Sequence, residues 1–278
     1  MNGDDKLLLA KNESGEIAPA EAARALASAA TEAGKLALKM LDAGVRTWNK
    51  ERNSPVTEAD IAVDALLRKR LRGFAADYGW QSEESADVQS RPGQRRRWVV
   101  DPIDGTRSFI KKLPDWSIAT ALLEDGRPIA AALYAPVTDE LFVATAGGGA
   151  VRNGVPIRAS AARALDAARI AGPRMTLERL TQSGLAFETV PRIHSLALRF
   201  ARVASGEIDA ALASERSRDW DVAAADLLVH EAGGTLTTFS GEKLVYGRPE
   251  AEHPALAASG MVLHPALRAT LTKVDKQP

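Results

Sequence analysis

The chain reads as a mixed α and β protein of the α+β type, on three observations. An alanine-rich stretch near the N-terminus carries helical periodicity. Strand-like segments broken by turns fill residues 117–157. From Ala161 onward, strands and helices alternate.

The elements follow in order. Met1 to Ala18 is polar and is expected to be a flexible lead-in. Pro19 stands at a first-turn position, and Ala20 to Leu41, with Leu26, Leu36, Leu38 and Met40, predicts a long helix ending near Gly44. Val45 to Asn53 predicts a short strand leading into a loop. Thr57 predicts an N-cap ahead of a helical Ile61 to Phe74. A short strand precedes Glu83-Glu84. Ala86 to Arg97, with Pro92, Gly93 and the run Arg95-Arg96-Arg97, reads as a solvated loop.

Trp98-Val99-Val100 then predicts a strand that delivers Asp101 and Asp104, with Gly105-Thr106 opening a helix. Ser117 to Leu123, Pro128 to Tyr134 and Glu140 to Thr145 predict further strands, and Asn153-Gly154 a tight turn. Gly147-Gly148-Gly149 lacks the following Lys-Ser or Lys-Thr of a nucleotide loop and reads as structural. Strands are expected at Ala168 to Gly172, Ala186 to Val190, Ile208 to Ala213 and Thr235 to Phe239. Helices are expected at Thr176 to Gln182, Ser195 to Ser205 and Asp221 to Ala232, the last closed by Gly233-Gly234. No fixed-period repeat and no Pro- or Gly-rich linker divides the chain.

Composition narrows the function classes. The 278 residues suffice for one large domain or two lobes sharing a cleft. Formal net charge is zero, and no aromatic residues interleave the arginine run, so no nucleic-acid partner is expected. Cysteine is absent, which removes disulfides and thiolate metal sites. The start lacks the basic and apolar segments of a secretory signal, and no stretch approaches the ~20 apolar residues of a membrane span. A cytoplasmic protein with no membrane partner is the expectation. The four histidines, His194, His230, His253 and His264, lack the close pair spacing of zinc ligands and read as structural or surface residues.

The chemistry concentrates in acids. Asp60, Glu83, Asp101, Asp104 and Asp221 each fall at a strand end or helix start. Carboxylates so placed collect a hard cation such as Mg²⁺, and free N–H groups at a helix start collect phosphate. Two ions roughly 3.5–4 Å apart can clamp both oxygens of an in-line displacement. Asp60 has a bland alternative, complementing the dipole of the helix that it helps to open. Spacing alone leaves open whether these acids meet.

Pro55-Val56-Thr57-Glu58-Ala59-Asp60, Glu83-Glu84-Ser85, Asp101-Pro102-Ile103-Asp104-Gly105-Thr106, Trp220-Asp221-Val222-Ala223-Ala224 and Glu231-Ala232-Gly233-Gly234 resemble the inositol monophosphatase superfamily. The motifs stand in that family's order over about residues 20 to 265. The resemblance implies a layered α-β-α-β-α sugar-phosphatase fold with a metal site between two lobes, here drawn as 19–160 and 161–278. It implies Asp60, Glu83, Asp101, the Ile103 carbonyl, Asp104 and Asp221 as ligands of two or three Mg²⁺ ions. Glu83, Asp104 and Thr106 are the implied catalytic residues, with Gly105 and Thr106 as the phosphate cradle and Thr106 aiming the water. It also implies direct attack by a metal-activated water without a phosphoenzyme, sensitivity to lithium, and a homodimer.

The substrate is expected to be a small phosphorylated metabolite, of the inositol monophosphate or 3′-phosphoadenosine 5′-phosphate type. Histidinol phosphate, fructose bisphosphate or a non-catalytic regulatory role on the same fold are the alternatives. Arg107-Ser108 replaces the Thr-Asn pair common in inositol-directed members, and Arg199 resembles a nucleotidase lysine position. Either arginine suits a second phosphate. Ser214 stands where inositol-directed members often place a glutamate, with Glu215 one residue away. Arg107, Arg199 and Glu215 are therefore the expected substrate contacts.

Overall fold

The computed structural model describes residues 16–49, 55–85, 94–248 and 252–275. Residues 1–15 of the expected lead-in, 50–54 of the expected loop and 86–93 lie outside these.

The N-terminal elements are α1 (Pro19–Ala43), β1 (Thr47–Asn49), β2 (Pro55–Thr57), α2 (Glu58–Phe74), β3 (Gly79–Ser82), β4 (Arg96–Asp104) and α3 (Thr106–Ile110). Next come β5 (Ser117–Glu124), β6 (Arg127–Ala135), β7 (Glu140–Thr145), β8 (Gly149–Arg152) and β9 (Val155–Pro156). The remainder holds β10 (Arg169–Ala171), α4 (Arg174–Gln182), β11 (Glu188–Thr189), α5 (Leu196–Ala204) and β12 (Ala210–Ala213), then α6 (Asp219–Glu231), β13 (Gly234–Thr238), β14 (Leu256–Gly260) and α7 (His264–Asp275).

Two sheets carry the layers. β3 to β9 form a seven-stranded sheet in sequence order, parallel between β3 and β4 and antiparallel elsewhere. The second sheet runs β11-β10-β12-β14-β13, with β14 antiparallel to both neighbours. Pleat alternation sorts the side chains of β4. Trp98 and Val100 join the core under α1 and α2, whereas Val99 joins the core around α5 and α6. α5 and α6 lie between the sheets, and a third core beneath the second sheet takes Leu177 and Leu180 of α4 with Leu267 and Leu271 of α7. The order of layers is α-β-α-β-α, as expected.

Several sequence expectations need correction. The arginine run is not a solvated loop, because Arg96 opens β4 and is buried. Its guanidinium donates to the Ile17 carbonyl at 2.7 Å, the Tyr78 hydroxyl at 2.8 Å and Glu124 at 3.0 Å. Those partners satisfy a charge that would otherwise cost too much to bury. Ile17, at the end of the expected lead-in, is itself core. Helices α2 and α6 start earlier than expected, at Glu58 and Asp219. Strand β14 and helix α7 were not anticipated. Alanines along α1 allow close approach to β6, and a Cβ on Gly34 would fall 2.6 Å from the Tyr134 ring.

Candidate active site

The last residues of β4 organise the site. The ladder to β5 breaks register between Asp101 and Asp104, so two acids three residues apart leave the regular sheet together. Gly105 follows at φ 95°, a left-handed conformation that a side chain strains. A Cβ there would also come within 3.1 Å of the Asp115 carbonyl and the Ser195 nitrogen. The sharp turn lets α3 begin at Thr106, directly after the second acid.

Four of the acids are fixed by different elements. Asp101 accepts from the Ile103 N–H at 3.1 Å. Asp104 is held by the start of α5, accepting from the Ser195 hydroxyl at 2.6 Å, the Leu196 N–H at 3.1 Å and the Ala197 N–H at 2.7 Å. Asp60 completes a capping box on α2, accepting from the Thr57 N–H at 2.8 Å and hydroxyl at 2.7 Å. The Thr106 hydroxyl contacts the Ile103 carbonyl at 3.1 Å and Asp60 at 3.4 Å. Asp221, in the first turn of α6, accepts from the Arg218 N–H at 2.6 Å.

Electrostatics show that these acids sense one another. Burial pushes the Asp101 carboxyl well above the usual carboxylate range, and Glu83, Asp104, Asp221 and Asp60 push it further. Asp221 is raised by burial and then by Asp104 and Glu83. Burial raises Asp104 too, against the lowering action of Ser195, Ala197, Leu196 and Arg199. Among the described residues, no three acid or histidine side chains close into a finished metal cage. Asp60, Asp101, Asp104 and Asp221 instead each have an oxygen tied to a protein donor. The donor set is nonetheless all oxygen, which fits a hard cation, and like charges buried together are what such a cation relieves.

A cleft of about 1020 Å³ opens beside this cluster, with Asp221 on its wall. Arg174, Arg192, Arg199 and Arg216 line it, together with Ser214 and Glu215. Glu215 is exposed there, and its neighbour Arg216 holds φ 79°. Arg199 is anchored through its Nε and Nη2 to the Ile193 carbonyl, at 3.1 and 2.6 Å, and through Nη1 to the Leu212 carbonyl at 2.9 Å. Burial lowers its pKa. Arg107 is exposed on α3 and is not among the residues lining this cleft. The donors to Asp104 at the start of α5 were not foreseen, because backbone N–H groups leave no mark in sequence and Ser195 read only as the start of a helix.

Comparison with known proteins identifies the family. Nus factor SuhB of Escherichia coli K12 is 35% identical over 224 residues, covering 77% of this chain and 83% of its own. Histidinol-phosphatase of Mycobacterium tuberculosis is 34% identical over 230 residues, covering 79% and 86%. The crystal structure of extragenic suppressor protein suhB from Bartonella henselae aligns with a TM-score of 0.81 at 27% identity, over 90% of this chain and 98% of that one. The model of the inositol monophosphatase family matches residues 18–275, and the chain belongs to that family of phosphatases.

Proposed function

We propose that the chain is a Mg²⁺-dependent phosphomonoesterase that hydrolyses a small phosphorylated metabolite by direct attack of water. The observation that carries this reading is the convergence of buried, mutually repelling acids on the turn at Gly105 and Thr106, beside an arginine-lined cleft. Asp60, Glu83, Asp101, the Ile103 carbonyl, Asp104 and Asp221 would hold the ions, two or three in number. Bound Mg²⁺ supplies charge neutralisation at phosphorus and lowers the pKa of water.

The chain's own groups supply position and proton handling. Thr106 donates its hydroxyl proton toward Ile103 and Asp60, which leaves its oxygen free to accept from the attacking water. Glu83, partly exposed beside the buried acids, takes up that water's proton. The N–H groups at Gly105 and Thr106 receive the phosphate oxygens. Arg199, locked to two backbone carbonyls, holds the 193 segment against β12 and keeps its remaining N–H groups at the cleft. Lithium inhibition and a homodimer belong to the same reading, which family membership supports. Among the described residues, no helix is long and apolar enough to cross a membrane.

Four cleft arginines favour a substrate that carries a second anionic group over an uncharged polyol. A phosphate-release panel with Mg²⁺ tests this, using inositol monophosphate, 3′-phosphoadenosine 5′-phosphate, histidinol phosphate and fructose bisphosphate. The expected order puts a doubly phosphorylated compound first in kcat/KM. Preference for inositol monophosphate would refute the second anion, and cleavage of none would refute the enzymatic reading.

A further inference from the structure

Asp219 lies two residues before Asp221 and is almost completely buried, at 1% exposure. It accepts hydrogen bonds from three directions: the His253 Nε2 at 2.9 Å, the Gly247 N–H at 2.7 Å and the Gln81 side-chain amide at 3.1 Å. A carboxylate only accepts, so Gln81 must present its NH₂ group to it. Gln81 stands on β3, two residues before Glu83 and 138 residues from Asp219 in sequence. A second bond secures the same strand end. The Ser82 hydroxyl donates to Asp64 at 2.5 Å, on the helix that carries Asp60.

We infer that Asp219 is a positioning residue that sets the distance between Glu83 and Asp221 by clamping β3 to the start of α6. The inference rests on the metal reading given above. β3 belongs to the seven-stranded sheet, whereas α6 is the layer between the sheets, so the two acids arrive on separate elements. Their separation is not fixed by either element alone. A buried carboxylate that joins the two carriers fixes it before any cation arrives. Gly247 and His253 also hold Asp219 in place, and the His253 ring packs against Tyr246 at 5.3 Å. Partners of metal ligands that fix their orientation typically contribute about 10–100-fold in metal affinity.

The test is titration calorimetry of Mg²⁺ into metal-stripped protein, with no substrate present, for wild type, Asp219→Asn and Gln81→Met. Gln81→Met keeps the His253 and Gly247 bonds to Asp219, so the fold survives if Asp219→Asn does not. Both variants are expected to bind Mg²⁺ at least 10-fold more weakly, with KM at saturating Mg²⁺ within about twofold of wild type. Wild-type Mg²⁺ binding that both variants match within twofold would overturn the clamp. Absence of Mg²⁺ binding by the wild type would overturn the metal reading, and the clamp with it.

Discussion

At the scale of single residues, several polar groups in the interior are held by hydrogen-bond partners. His264 is one such group, with Nε2 at 2.9 Å from the Thr237 hydroxyl and Nδ1 at 3.0 Å from that of Ser259. Burial and the nearby Arg268 lower its pKa from 6.5 to about 4. The folded chain therefore binds this proton less readily than the unfolded chain does. Its contribution to stability is complete above pH 6.5 and is lost as pH falls toward 4, on the order of 3 kcal/mol in all. Asp101 and Asp221, raised in the fold, act with the opposite sign at low pH, so the contribution must be isolated by difference. Urea unfolding of wild type and His264→Asn between pH 7 and 4 should show a flatter acid slope in the variant. Identical slopes would mean that His264 titrates normally.

Residue-level signals also explain what the sequence disclosed. Pro19 and Gly44 bracket α1 because one lacks an N–H that the first turn does not need, and the other takes φ 89°. Thr57 with Asp60 shows as a capping box, yet the same Asp60 sits among the site acids. The capping role of Asp60 is visible in the fold, and its proposed metal role rests on resemblance. Arg96 escaped because a run of three arginines looks solvated, and its burial depends on Ile17, Tyr78 and Glu124, far away in sequence.

At the scale of elements, helix starts are the recurring device. α2 begins beside Asp60, α3 beside Asp104, and α6 beside Asp221, while the start of α5 faces Asp104. Ser195 has two tasks there. Its hydroxyl accepts from the Leu198 N–H as the N-cap of α5 and donates to Asp104. Ser195→Ala removes a cap and a hydrogen bond to a carboxylate, at a cost of about 2 kcal/mol. Chemical denaturation should show a lower midpoint with an unchanged slope. An unshifted midpoint would show that the Leu196 and Ala197 N–H groups suffice by themselves.

The elements that went unread were missed for different reasons. β14, Leu-Ala-Ala-Ser-Gly, has no β-branched residue and no alternation, because helices cover both its faces and all five residues are buried. α7 carries Leu267 and Leu271 four apart, but its other positions are mixed enough to hide the stripe. The strands at 117–145 were legible because their apolar runs are long and the turns between them are marked by Gly, Pro and Asp.

At the scale of the whole molecule, five layers bring together acids that lie up to 161 residues apart in the chain, from Asp60 to Asp221. Composition and spacing could supply the acids but not their meeting. The motif order supplied that, and the electrostatic coupling of Asp101 with Glu83, Asp104, Asp221 and Asp60 agrees with it. The choice of substrate is the part least visible in the sequence. Arginines at 174, 192, 199 and 216, proposed here to favour a second anionic group, are gathered only by the folded cleft.

A cation-dependent hydrolytic centre is the role proposed for these acids. It is tested most directly by phosphate release from the best compound of the panel, for wild type and Asp104→Asn, with Mg²⁺ and with EDTA. Asp104 is buried between β4 and α5, and Asn keeps its shape while removing one anionic donor. Turnover by the wild type is expected only with Mg²⁺, with a loss of at least about 100-fold in Asp104→Asn. Turnover that persists in EDTA, or a variant as active as the wild type, would contradict it.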